Sequence, residues 1–387
     1  MQPAQFPSSA PEDLIPSYRA EVVYQCIGCQ RTFDIHQFLY TCPECKSLLR
    51  IEDTRFSELL KKPGSYWRSV FDYRAMLTRS PLKGIFRYYE FVLPVIPLDD
   101  IIYLGEGDTP IIRSNSSLSS FVGTQFYVKN DGLNPSVSFK DRGMASAISF
   151  INYLIRKENI TELLGICAST GDTSAAAALY LSYLDERIVR SVVLLPHGKV
   201  TPAQLSQPLG SGATVIEVPG VFDDCMKIVE ELAETYHVCL LNSKNPLRIL
   251  GQRSYSFEIS QQMDYDMEDL VVVVPIGNAG NVTAIMEGFL AFYRAGIIDR
   301  LPFIIGVQST HANPVVQWCT TGTYAPLPVR PSVAQAAMIG NPVSFPKVSQ
   351  LVQEYFREHF AAIAVSEQEI IEAMLIANRH GNVVCTQ

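Results

Sequence analysis

The chain has 387 residues, is 47% hydrophobic and carries a formal net charge of -8. Two or three domains with a large core are expected, and nucleic acid and anionic membranes are disfavoured as partners. No apolar run reaches the about 18 residues of a membrane span, and the Pro- and Ser-rich start lacks a signal-type apolar region, so a cytoplasmic protein is expected.

Nine cysteines, an odd number with four in metal-type spacing, argue against a disulfide framework. Residues 1–20 read as a tail. Cys26-Ile-Gly-Cys29 and Cys42-Pro-Glu-Cys45 then form two CxxC pairs. Four thiolates complete a tetrahedral zinc shell with no open position, so the expected metal is a structural zinc. Val22, Tyr24, Thr32, Phe33, Leu39 and Tyr40 suggest short strands around the turns, a zinc ribbon over 21–52. No βαβ context surrounds either pair, which disfavours a redox role. Residues 53–104 read as a connector packed on the main body. Residues 104–110 form a glycine-punctuated turn, and 126–129 a short strand.

Residues 134–143, Asn-Pro-Ser-Val-Ser-Phe-Lys-Asp-Arg-Gly, open a helix. Asn-Pro is a turn pair, Ser138 the predicted N-cap, and Met144, Ala147, Ile148 and Ile151 follow with helical spacing. A cation in the first turn opposes the helix dipole. The same field lowers the Lys140 pKa, as a Schiff-base amine requires. A strand at 163–168 leads into Ser169-Thr170-Gly171-Asp172-Thr173-Ser174 and an Ala-rich helix over 175–184. Free N–H groups and hydroxyls there make a cup for a carboxylate or phosphate. Strands at 191–195 and 213–218 alternate with helices at 201–209 and 222–236, which predicts a parallel sheet covered on both faces.

Asn242-Ser-Lys-Asn-Pro-Leu-Arg248 leads into a helix over 250–262, and an arginine there suits bidentate phosphate binding. A central strand at 270–275 runs into Gly277-Asn-Ala-Gly-Asn281, a loop that opens a helix over 282–293 and lets backbone approach a phosphate. The loop is neither GxGxxG nor a Walker loop, so a monophosphate cofactor is a better match than a dinucleotide. A strand at 303–308, a loop at 337–342 and a strand at 362–365 with a Ser366/Glu369 capping box follow. Taken singly, these stretches also read as a solvated lysine, a capped helix, an Asn-Pro turn and a plain strand-to-helix turn.

Together, the lysine stretch 138–143, the Ser/Thr loop 168–174, the segment 242–248 and the glycine loop 277–281 resemble the pyridoxal-phosphate (PLP) enzymes of the tryptophan synthase β fold, and within them the threonine synthases. The CxxC ribbon resembles the N-terminal ribbon of some members. The resemblance covers roughly 85–387. It implies fold type II: an α/β core over 105–387 with two open parallel-sheet domains, the cofactor between them, and a smaller subdomain at about 144–240.

The activity implied is conversion of O-phospho-L-homoserine and water to L-threonine and phosphate, through a PLP Schiff base on Lys140. By the same resemblance Ser169, Thr170 and Thr173 hold the substrate carboxylate, and Asn242, Ser243, Arg248 and Asn278 its phosphate. Gly277, Asn278, Ala279, Gly280 and Asn281 hold the cofactor phosphate, Asp172 sits near the cofactor 3′-oxygen, and Thr386 faces the pyridine nitrogen. A cytoplasmic homodimer is implied. Cysteate synthase and threonine/serine dehydratase are alternatives on the same fold, and a catalytically silent PLP-binding regulator is an alternative of another class. Two departures stand out. Ser136-Val137 replaces the family's Thr-Gly, and the chain ends one residue after Thr386, so a C-terminal part is expected to be missing.

Overall fold

The computed structural model describes residues 11–78, 81–169, 171–197, 202–219, 222–233 and 236–381. β1 (Val22–Cys26), β2 (Thr32–Asp34) and β3 (Leu49–Asp53) form a small antiparallel sheet in the order β2-β1-β3. Leu39 and Tyr40, expected in a strand, lie outside the sheet, Tyr40 in a bend. α1 (Gly64–Ala75) and α2 (Tyr89–Val92) follow and are tied by a buried bidentate pair, Arg74 to Glu90, with both contacts at 2.7 Å. Their rings Trp67, Phe71, Tyr88 and Phe91 interlock with Phe257 and Phe292 of later helices, which seats the connector on the core.

β4 (Ile111–Arg113) pairs antiparallel with β5 (Tyr127–Lys129) across α3 (Ser116–Val122). α4 (Lys140–Lys157) then leads into a four-stranded parallel sheet. Its strands are β6 (Leu163–Ala168), β7 (Val189–Pro196), β8 (Thr214–Val218) and β9 (Val238–Leu240), in the order β8-β7-β6-β9. α5 (Asp172–Leu181), α6 (Pro202–Gly210) and α7 (Phe222–Ala233) are its crossovers. The predicted βα alternation is therefore present.

The helix predicted over 250–262 is two helices, α8 (Pro246–Gln252) and α9 (Ser254–Gln262), meeting at Arg253. Asn245 caps α8 by accepting from Leu247 N at 2.9 Å, and Pro246 fills the first turn, so Arg248 stands inside a helix and not ahead of one. β10 (Val271–Pro275), α10 (Gly280–Arg294), β11 (Phe303–Ser309), α11 (Pro314–Thr321), α12 (Phe345–Leu351), β12 (Phe360–Val365) and α13 (Glu367–Arg379) complete the chain. Their parallel sheet has the order β10-β11-β12. The valine run read as a central strand is an edge strand of the described sheet, with Val271 and Val273 exposed. A short apolar run does not distinguish centre from edge. The Ser366/Glu369 capping box at α13 is present.

α4 and α8 cross in contact because glycines remove side chains where they meet. A Cβ on Gly251 would lie 1.9 Å from the Arg142 carbonyl, and one on Gly143 would lie 2.8 Å from Gln252 Nε2. This crossing brings Arg248 of α8 beside the start of α4. Gly251→Ala should lower the unfolding free energy by about 3 kcal/mol, read from thermal or denaturant midpoints. An unchanged midpoint would show that the two backbones are not in contact there.

Candidate active site

Lys140 is the first residue of α4, and its amine lies 3.8 Å from the centroid of the Phe139 ring. Burial, and then the positive charge of Arg248, push the amine down to about 7, against smaller opposing effects of Asp172 and Cys167. Those four residues come from α4, α5, α8 and the end of β6, so the fold converges them on one spot. Cys167 is fully buried there and was not singled out in the sequence. Nothing in its local pattern sets it apart from any other strand cysteine.

Ser138 is not the helix cap. Phe139 occupies that position without a side-chain cap bond, and the Ser138 hydroxyl donates to Asp172 Oδ2 at 3.1 Å while accepting from Lys140 N at 3.4 Å. The turn before the lysine is closed by Val137 N donating to Asn134 O at 2.8 Å. Ser136 donates from its N–H and its hydroxyl to Asp141, both at 2.7 Å. Val137 has φ +63° and is 65% exposed, so a β-branched residue holds the left-handed conformation that glycine adopts most readily. The turn carries local strain.

Asp172 and Thr173 open α5, and Ser169 sits before it, accepting from Gly171 N at 3.3 Å. All three are partly buried. Thr170 and Thr386 lie outside the described residues. Asn242 spends its side chain locally: its Oδ1 accepts from Ala168 N at 2.9 Å and its Nδ2 donates to Ala168 O at 2.5 Å. This ties segment 242–248 to the strand end beneath Lys140. Ser243 beside it is partly buried.

Arg248 is 4% exposed, and its Nη1 donates to Leu241 O at 3.0 Å while its Nε has no partner. Burial pushes its pKa down to about 10. Among the described residues no carboxylate pairs with it. A buried guanidinium without an anion is an anion site in electrostatic terms.

In the glycine loop, Ala279 adopts φ +62° as the residue before α10. A Cβ on Gly277 would press to 3.0 Å from the Ala336 carbonyl, and Gly280 faces Ile249 of α8. Asn281 Oδ1 is buried without a partner. Asn278 Oδ1 faces Val343 N at 3.4 Å. α8 thus stands between the lysine helix and the glycine loop.

Sequence reasoning quoted Arg142 within the lysine stretch but gave it no role. It is fully buried, and its guanidinium donates to Asp131, Glu258, Ser254 and Thr109 at 2.7–3.0 Å. Burial raises the Glu258 carboxyl, but Arg142 and Lys129 outweigh it and hold the group down at about 2.

In the ribbon, the four sulfurs of Cys26, Cys29, Cys42 and Cys45 lie within 4.8 Å of one another. Tetrahedral zinc thiolates stand about 3.8 Å apart, and the Cys26–Cys45 and Cys29–Cys42 pairs measure 3.4 and 3.7 Å.

The lowered Lys140 value gives a signed pH dependence. Below about pH 7 the folded, cofactor-free protein bears the full penalty of a buried ammonium. As pH rises from about 7 to about 10 the unfolded chain binds the extra proton, so stability rises. Lys140→Met should therefore be more thermostable than the parent near pH 6, and that margin should shrink towards pH 10. A margin independent of pH would remove the charged amine from a buried setting.

The model of the family described as "Pyridoxal-phosphate dependent enzyme" matches residues 102–387. The chain is 37% identical to the threonine synthase of Methanocaldococcus jannaschii, covering 93% of this chain and 83% of that one. It is 34% identical to the threonine synthase of Methanosarcina acetivorans, covering 90% and 80%. The crystal structure of threonine synthase from Escherichia coli shares the fold, with a TM-score of 0.69 at 19% identity over 94% of this chain and 82% of that one. With its lysine, Ser/Thr and glycine loops gathered on one fold, the chain belongs to the threonine synthase family of pyridoxal-phosphate-dependent enzymes.

Proposed function

We propose that the chain converts O-phospho-L-homoserine and water to L-threonine and phosphate. The observation that carries this reading is Arg248: a buried guanidinium without an acidic partner, set beside the amine of Lys140.

Pyridoxal phosphate is the family's cofactor, and the residues present fit it. The loop 277–281 runs into the N-terminus of α10, where backbone N–H groups and the helix dipole suit a phosphate, while Lys140 offers an amine that is close to neutral. Lys140 would hold the cofactor, residues 277–281 its phosphate, and Asp172 would face its 3′-oxygen. When bound, the cofactor supplies a sink for the electron pair left by proton removal next to the amino group.

The chain's own residues do the rest. Lys140 Nζ, near neutral, takes a proton from the substrate Cα and then Cβ. One proton is returned to Cγ, which becomes the methyl group once phosphate has left, and one to Cα after the oxygen of water has bonded to Cβ. The proton that water gives up goes to the departing phosphate. Phosphate leaves from Cγ, and Arg248, with Ser243 and Asn278, receives its charge, while Asn242, bonded to Ala168, holds the segment in place. Ser169, Thr170 and Thr173 orient the carboxylate. Thr386 would supply a neutral partner for the pyridine nitrogen. A dehydratase substrate has no phosphate to answer Arg248. Phosphoserine does, so cysteate synthase is the second reading. The net charge of -8 suits a small-molecule enzyme in the cytoplasm, and the family resemblance supplies the homodimer. Among the described residues no helix is long and apolar enough to cross a membrane.

The four sulfurs of Cys26, Cys29, Cys42 and Cys45 fit a structural zinc, which would lock the ribbon turns.

The test is release of phosphate and threonine in equal amounts from O-phospho-L-homoserine. Phosphate release seen only with phosphoserine and sulfite would favour the second reading. Arg248→Ala should raise KM at least tenfold while the cofactor absorbance persists. An unchanged KM would take Arg248 out of the site. Cys26→Ser should lower bound zinc, measured by elemental analysis, and lower the thermal midpoint. Unchanged zinc would exclude the four-sulfur site.

A further inference from the structure

The ribbon grips one stretch of the catalytic core, residues 237–253, at both ends. At the first end the Tyr40 ring packs against the apolar cluster of the four-stranded sheet. Its hydroxyl accepts from Leu240 N at 2.8 Å and donates to Val238 O at 3.1 Å. β9 is an edge strand. It pairs with β6 through His237 O and Leu241 N, so Val238 and Leu240 turn their polar groups outward. One hydroxyl thus serves both the donor and the acceptor of an open sheet edge. Phe38 adds a ring contact to His237, with centroids 6.1 Å apart. At the second end, Arg50 and Ile51 of β3 line a cleft with Pro246, Ile249 and Leu250 of α8.

Between the two grips runs a short relay. Leu240, held at its N–H by Tyr40, accepts at its carbonyl from Asn245 Nδ2 at 2.9 Å. Asn245 caps α8 through Leu247 N, and α8 carries Arg248. The two arginines of the core differ in what places them. Arg142 is held by carboxylates on two sides. Arg248 has one backbone acceptor, Leu241 O, from the same gripped stretch. Its position therefore follows the helix on which it stands and the strand end beside it.

We propose that Tyr40 is a positioning residue for the substrate phosphate: by closing the free edge of β9 it fixes the cap of α8 and hence Arg248. The inference rests on the reading of Arg248 as the phosphate ligand. It makes the ribbon a clamp on substrate recognition, separate from the Lys140 end, which Arg142 secures on its own.

The test is Tyr40→Phe in the holoenzyme, which keeps the ring and removes only the hydroxyl. The KM for O-phospho-L-homoserine should rise about fivefold, the loss expected for hydrogen bonds of this kind. Competitive inhibition by inorganic phosphate should weaken by the same factor. kcat and the cofactor absorbance should stay within about twofold of the parent, and the Leu240 amide should exchange hydrogen faster. Asn245→Ser cuts the next link without touching the ribbon. It should show the same pattern and add little to Tyr40→Phe in the double variant. It also serves if Tyr40→Phe fails to fold. Unchanged KM and phosphate inhibition in either folded variant, with Arg248→Ala still raising KM, would overturn the clamp alone. Unchanged KM in Arg248→Ala would overturn the reading beneath it.

Discussion

Arg142 buries a full positive charge two residues beyond Lys140, and the site depends on how that charge is balanced. Asp131, Glu258, Ser254 and Thr109 come from different segments and converge on one guanidinium, which also lies 4.5 Å from the Tyr255 ring centroid. Lys129 shares Glu258 at 2.7 Å, so two cations meet two carboxylates and the buried charge is compensated. Desolvating such a group is costly, and an arrangement with every donor used tolerates little displacement. The start of α4 is therefore fixed before any ligand is considered, and Lys140 inherits that rigidity.

The active cleft reverses this logic a few residues away. The charge of Arg248 acts on Lys140 without a matching pair of carboxylates, and Asp172 offsets it at Lys140 only in part. Two under-compensated cations in a buried place favour anionic ligands. Burial and the neighbouring charge push the Lys140 amine down to about 7. The same chain thus uses one saturated arginine to build the site and one unsaturated arginine to leave it receptive. The strained Val137 turn just before Lys140 is pinned on both sides, by Ser136 bonded to Asp141 and Ser138 bonded to Asp172.

The ribbon joins this arrangement through packing. Its sheet presses on α8, and Tyr40 reaches the edge of β9, so the ribbon bounds the segment that carries Arg248. The aromatic cluster of the connector seats the other flank against α9 and α10. The segment that carries Arg248 is in this way enclosed by elements far away in sequence.

What the sequence determined by itself is local chemistry and alternation. The CxxC pairs, the lysine at a helix start, the Ser/Thr loop, the glycine loop and the capping box at Ser366 follow from short-range spacing, and the βα order follows from apolar runs between turns. Tertiary structure alone decided the rest. Whether the valine run is a central or an edge strand depends on its neighbours. Ser138 shares its hydroxyl between Lys140 N and the carboxylate of Asp172 because Asp172 is within reach. Asn242 turns to Ala168 because β6 ends beside it. The contrast between Arg142 and Arg248 is invisible in sequence, since each is an arginine near a helix start. Burial and the presence or absence of carboxylates from distant segments separate them, and those are properties of the packed chain, not of any local pattern.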